Sequence, residues 1–91
     1  MNSDMSERDS NVRVVDCRGM ACPEPVWRTR RAIEGLPPGT ELDVLATDPM
    51  AELDLTVFCQ RTGHELVRAD TRDGVLRARI RVRPAQPPGA G

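Results

Sequence analysis

The sequence predicts an α/β fold of the α+β kind: a two-layer sandwich ordered βαβαββ, with two helices on one face of a four-stranded mixed sheet. Three observations point there. From Val75 to Arg83 the residues Leu76, Ala78, Ile80 and Val82 alternate with Arg77, Arg79, Arg81 and Arg83, the period of a strand with one buried and one wet face. Two proline-marked helix starts, Cys22-Pro23-Glu24-Pro25 and Asp48-Pro49, each follow a β-type run, and proline suits the first turn of a helix because its missing N–H would be unpaired there anyway. A sheet with one wet face has only the other on which to seat two helices.

The chain has 91 residues, enough for one domain. Residues 1–11 are mostly polar and charged, and 84–91 are rich in Pro, Gly and Ala; both are expected as disordered tails around a domain at 12–83. Val12 to Cys17 reads as the first strand, with Val15 and Cys17 on one face and Val12 and Val14 on the other. The first helix is expected from Pro23 to Gly35, burying Val26, Ile33 and Leu36 beside the small Thr29 and Ala32, until Leu36-Pro37-Pro38-Gly39 stops it. Thr40 to Ala46 is the second strand, with Leu42, Val44 and Ala46 sharing a face. Asp48 then caps the second helix and Pro49 opens it; Met50, Leu53, Val57 and Phe58 are expected inward, and Gly63 ends it after Thr62. Glu65 to Asp70 forms the third strand, Thr71 to Gly74 a turn, and Val75 to Arg83 the fourth strand.

Composition narrows the function. A net charge of −1 argues against a general polyanion binder. Trp27 and Phe58 are the only aromatic residues, too few for the stacking platforms that hold single strands. Direct nucleic-acid binding is therefore not expected, although the outward arginines of the last strand keep an RNA-binding module among the alternatives. No stretch reaches the length of a membrane span, and the first residues lack the basic and apolar regions of a signal peptide, so a cytoplasmic protein without membrane contact is expected. Three cysteines, an odd number, make no disulfide framework in a reducing compartment. Cys17 and Cys22 lie five apart, and Cys59 with His64 supplies no second half-site, so no metal is expected. No cofactor is implied, and a monomer is expected.

The candidate reactive residue is Cys22. Placed at or near the cap of the first helix, its sulfur meets the positive end of the helix dipole, which favours thiolate. Pro23 and Pro25 stiffen this turn and offer no N–H, leaving the Glu24 and Val26 amides as donors to the sulfur. The Glu24 carboxylate opposes the dipole, while Arg18 and Arg28 offset it. The alternative is a small buried hydrophobe, the commoner fate of a free cysteine.

Cys22-Pro23-Glu24-Pro25, preceded by Asp16-x-Arg18-Gly19 and followed by Asp48-Pro49, Phe58-Cys59 and His64-Glu65-Leu66-Val67, resembles the signature of the TusA/SirA-like sulfur-carrier family. The resemblance spans about Val12 to Val82 without insertions. It implies the same βαβαββ fold and a sulfurtransferase in which Cys22 accepts sulfane sulfur as a persulfide and relays it. The implied partners are a cysteine desulfurase or rhodanese-type sulfur donor and a downstream sulfur-acceptor protein, serving tRNA thiolation, molybdenum-cofactor synthesis or sulfur oxidation. A regulatory or redox interaction module of the same fold is the competing reading. Asp16, Arg18 and Gly19 shape the loop that presents Cys22, Gly19 by a bend with positive φ and Asp16 by bonding loop amides. Trp27, off the apolar stripe, reads as a docking anchor or a residue bordering the core; Arg28, Arg30 and Arg31 form either a cationic docking rim or a solvated face. Cys17 departs from the family, which carries an apolar or small residue there; it is expected to be buried, the alternative being a resolving partner for Cys22.

Overall fold

The computed structural model describes residues 12–84. The expected tails at 1–11 and 84–91 therefore lie outside the described residues, apart from Pro84. Six elements follow one another: β1 (Arg13–Cys17), α1 (Glu24–Ile33), β2 (Glu41–Ala46), α2 (Ala51–Thr62), β3 (Glu65–Arg72) and β4 (Val75–Arg81). The sheet order is β1-β2-β4-β3. β1 and β2 are parallel, with Val15 opposite Val44; β4 runs antiparallel to both its neighbours. This is the expected mixed sheet.

The core joins Val15 and Cys17 of β1, Leu42, Val44 and Ala46 of β2, and Leu76, Ala78 and Ile80 of β4 to Ile33, Leu55, Phe58 and Cys59 of the helices. The strand alternation predicted every one of those sheet residues. The helix faces differ from expectation. In α1 the buried line is Pro25, Thr29 and Ile33, spaced four apart, while Val26, Ala32 and Leu36 pack only at its edge. Thr29 can occupy the centre because its hydroxyl donates to the Pro25 carbonyl at 2.7 Å, which satisfies its polar atom inside the core.

In α2 the buried residues are Ala51, Leu55, Phe58 and Cys59. Of the four residues expected inward, only Phe58 is buried; Met50, Leu53 and Val57 are exposed. Apolar residues lie on two sides of this helix, so periodicity alone does not say which side meets the sheet. Asp48 and Pro49 also shift by a turn position: Met50 is the cap and the helix opens at Ala51. The first helix is likewise shorter than expected, capped by Pro23 and ending at Ile33 with Glu34 as its C-cap.

The final hairpin is tighter than the sequence suggested. β3 continues to Arg72 and only Asp73-Gly74 turns the chain. Both have positive φ, 52° and 79°, the conformation of a two-residue turn whose twist matches the strands it joins, and Asp-Gly is a favoured pair for it.

The outer sheet face is not wholly cationic. Across from Arg79 on β2 stands Asp43, whose carboxylate accepts from Arg79 Nε at 2.7 Å and Nη2 at 3.0 Å. Arg81 donates to Glu41 at 2.8 Å and to Glu65 at 2.9 Å, and Arg83 reaches Glu65 at 3.2 Å. Asp43 is only 2% exposed, and the Arg79 guanidinium holds its carboxyl below the usual carboxylate range. The arginine ladder is an ion-pair network with its neighbouring strands, which offsets part of its charge, while the Arg77 side chain stays 59% exposed.

Candidate functional site

The two parallel strands end side by side, and the loops that leave them are fastened together. Gly19, at φ 82°, turns the chain after β1, and its N–H donates to Thr47 Oγ1 at 2.9 Å. The N–H of Cys22 donates to the Asp48 carboxylate, whose other oxygen accepts from the Met50 N–H at 2.9 Å. Asp48 thus does more than the helix cap it was expected to be: it ties the start of α2 to the residue that precedes α1. The crevice beyond the carboxyl ends of parallel strands is where open sheets of this type present their chemistry.

Cys22 is exposed, whereas Cys17 and Cys59 are buried. Burial pushes the Cys59 thiol up to about 11 and raises that of Cys17, so both read as packing residues. Cys17 is 0% exposed with its sulfur 4.0 Å from the Pro25 carbonyl, the buried setting expected of it.

Pro23, joined to Cys22 by a cis peptide bond, is the helix cap, so Cys22 stands next to the cap, as expected. The partners of its sulfur differ from expectation. The amides expected to serve the sulfur are already engaged: Glu24 N–H donates to the Ala21 carbonyl at 2.8 Å, and Val26 N–H to that of Pro23 at 3.0 Å. The sulfur finds a carboxylate instead. Its thiol donates to Asp54 Oδ2 on α2. That hydrogen bond first, then desolvation and the charges of Asp54 and Asp48, raise the Cys22 thiol above its ordinary value.

Asp16 and Arg18 serve each other. The Arg18 side chain donates to both Asp16 oxygens, at 2.9 and 2.8 Å, and its backbone N–H to one of them at 3.1 Å. These bonds hold the Asp16 carboxyl at about 2. Asp16 bonds a loop amide as expected, and Arg18 is committed to Asp16 rather than to offsetting charge at Cys22.

Two depressions flank α1. Glu24, Trp27, Arg28 and Arg31 line one, with Trp27 61% exposed. Cys22 lines the other with Val26, Arg30, Leu53, Val57 and Phe58. Of the expected docking residues, Trp27, Arg28 and Arg31 share one surface, while Arg30 lines the groove that holds the sulfur. Sequence reasoning missed Asp54 and the apolar wall of Leu53 and Val57. The available signal was an acid set among Leu53, Leu55 and Val57, a carboxylate within an apolar run.

A family model described as "Sulfurtransferase TusA" matches residues 13–82. The chain belongs to the TusA sulfur-carrier family. It is 43% identical over 72 residues to a "Putative sulfur carrier protein" of Archaeoglobus fulgidus, covering 78% of this chain and 94% of that one. It is 39% identical over 83 residues to the "Sulfur carrier protein TusA" of Pseudomonas savastanoi, covering 88% and 99%. Among solved structures, a SirA-like protein from Desulfitobacterium hafniense superposes with a TM-score of 0.69 at 25% identity, over 78% of this chain and 97% of that one. The TusA family thus supplies the sulfur-carrier class of function, and the βαβαββ sandwich is that of a SirA-like protein.

Proposed function

We propose that Cys22 carries sulfane sulfur as a persulfide, taking it from a cysteine desulfurase or rhodanese-type donor and passing it to an acceptor protein. The observation that carries this reading is that Cys22 alone of the three cysteines is exposed, in a chain of the sulfur-carrier family. In loading, Cys22 Sγ attacks the outer sulfur of the donor persulfide. The donor's S–S bond breaks, its electron pair leaves on the donor cysteine, and a new S–S bond forms at Cys22. The Cys22 proton ends on the departing donor thiolate, and no net oxidation occurs. Unloading runs the same exchange toward the acceptor, in a cytoplasm that keeps thiols reduced and on behalf of tRNA thiolation, molybdenum-cofactor synthesis or sulfur oxidation.

Asp16, Arg18, Gly19 and Asp48 fix the loops around Cys22, while Pro23, Glu24 and Pro25 form the stiff first turn that presents it. Trp27, Arg28 and Arg31 receive the partner. The test is intact mass after incubation with a cysteine desulfurase and cysteine. One added sulfur, lost on reduction, is expected for the native chain and for Cys17→Ser and Cys59→Ser. Cys22→Ser should gain none; equal loading of that variant would refute the reading.

A further inference from the structure

A cysteine beside a helix start, with two prolines to present it, has the setting of an activated nucleophile, yet its neighbours work the other way. The Glu24 and Val26 amides are bonded to backbone carbonyls, and Pro23 and Pro25 have none to offer. Among the described residues the hydrogen-bond partner of the sulfur is the Asp54 carboxylate. Asp48, a second carboxylate, accepts the N–H of the same residue. The cations in the groove are Arg30 of α1 and Arg61 of α2. An ionised carboxylate can only accept, so this bond exists only while the proton remains on sulfur. Removing that proton breaks the bond and sets two anions against each other.

We propose that Asp54 is a positioning residue for Cys22, holding its sulfur as a hydrogen-bonded thiol in the free protein and so setting the pH at which it becomes a nucleophile. The inference rests on Cys22 being the working sulfur and goes beyond that by assigning what restrains it. At neutral pH the unbound carrier then reacts slowly with stray electrophiles and oxidants, since thiolate is the reactive form. The direction of the Cys22 shift agrees, with the Asp54 hydrogen bond as its largest cause.

The test is the pH profile of Cys22 alkylation by iodoacetamide on the full native chain, followed at Cys22 by peptide mass. Asp54→Asn keeps the shape and removes the charge. Its profile should move to lower pH by about one unit, so that alkylation below the midpoint becomes roughly tenfold faster. Asp54→Glu should move the midpoint back toward the native value. Superimposable native and Asn profiles overturn the proposal. If the Asn variant fails to fold by circular dichroism, the native profile is compared with that of the same chain in urea. A folded midpoint above the unfolded one is expected, and one at or below it overturns the proposal. Alkylation needs no sulfur donor, so the two readings fail separately. A shifted profile in a chain that takes up no sulfur refutes the carrier reading; loading with an unshifted profile refutes the role of Asp54.

Discussion

Replacing Trp27 with alanine separates a ring that holds the domain together from one that meets a partner. A fully buried Trp→Ala change costs about 3–5 kcal/mol. Trp27 is 61% exposed, so under half of that packing is at stake, and alanine is the better helix former by a few tenths of a kcal/mol. The expected loss is about 1 kcal/mol, a fall in Tm of roughly 4–8 °C for a domain of this size. As a docking anchor the same ring is worth about 2 kcal/mol or more, which is roughly 30-fold in partner affinity. The assay is sulfur transfer from a desulfurase at rising carrier concentration, beside a thermal melt of the same variant. The carrier concentration for half-maximal transfer should rise strongly while the maximal rate holds, because Trp27 lines a different depression from Cys22. A Tm loss beyond about 12 °C, or unchanged transfer at low carrier concentration in a folded variant, would refute the reasoning.

Three further outcomes are expected. Arg79→Ala should cost roughly 2–4 kcal/mol in urea unfolding, because it strips the bidentate partner from a carboxylate 2% exposed, while sulfur loading of the folded fraction is unchanged. The pH dependence of unfolding should show the same pair. The Asp43 pKa is depressed in the folded state, so its stabilisation is fully present above the unfolded value of about 3.9 and is lost as pH falls through the lower folded value; Arg79→Ala should flatten that acid limb. Leu55→Ala, at a site 0% exposed, should cost about 2–5 kcal/mol. Leu53→Ala, at a site 57% exposed, should cost about 1 kcal/mol or less; equal losses would mean that α2 packs by its other face.

What the sequence made legible was local. Prolines at 23, 25 and 49 mark where helices begin, Asp73-Gly74 marks the hairpin, and alternation in β2 and β4 names the core side of the sheet. Two things were not legible, for physical reasons. The second helix is apolar on two sides, and only the sheet decides that Leu55 rather than Leu53 is buried. The charge around Cys22 comes from Asp48 and Asp54, 26 and 32 positions along the chain, whereas the helix-start argument counted only neighbours in sequence. The same limit hid Glu41, Asp43 and Glu65, which sit across from or diagonal to the arginines they pair with.

The outermost strands carry one more consequence. Among the described residues the four-stranded sheet has two unpaired margins, β1 and β3, and unpaired margins invite a foreign strand to add on. β3 slips register between Leu66 and Arg68 and then exposes Arg68, Asp70 and Arg72. A bulge and a row of charges make a poor template for a further ladder. β1 is only five residues long and starts at the exposed Arg13. With both margins blunted, strand addition is disfavoured as a way for another polypeptide to hold this chain. A contact that another protein makes with this chain is then left to side chains, which let go more readily than a ladder of backbone hydrogen bonds.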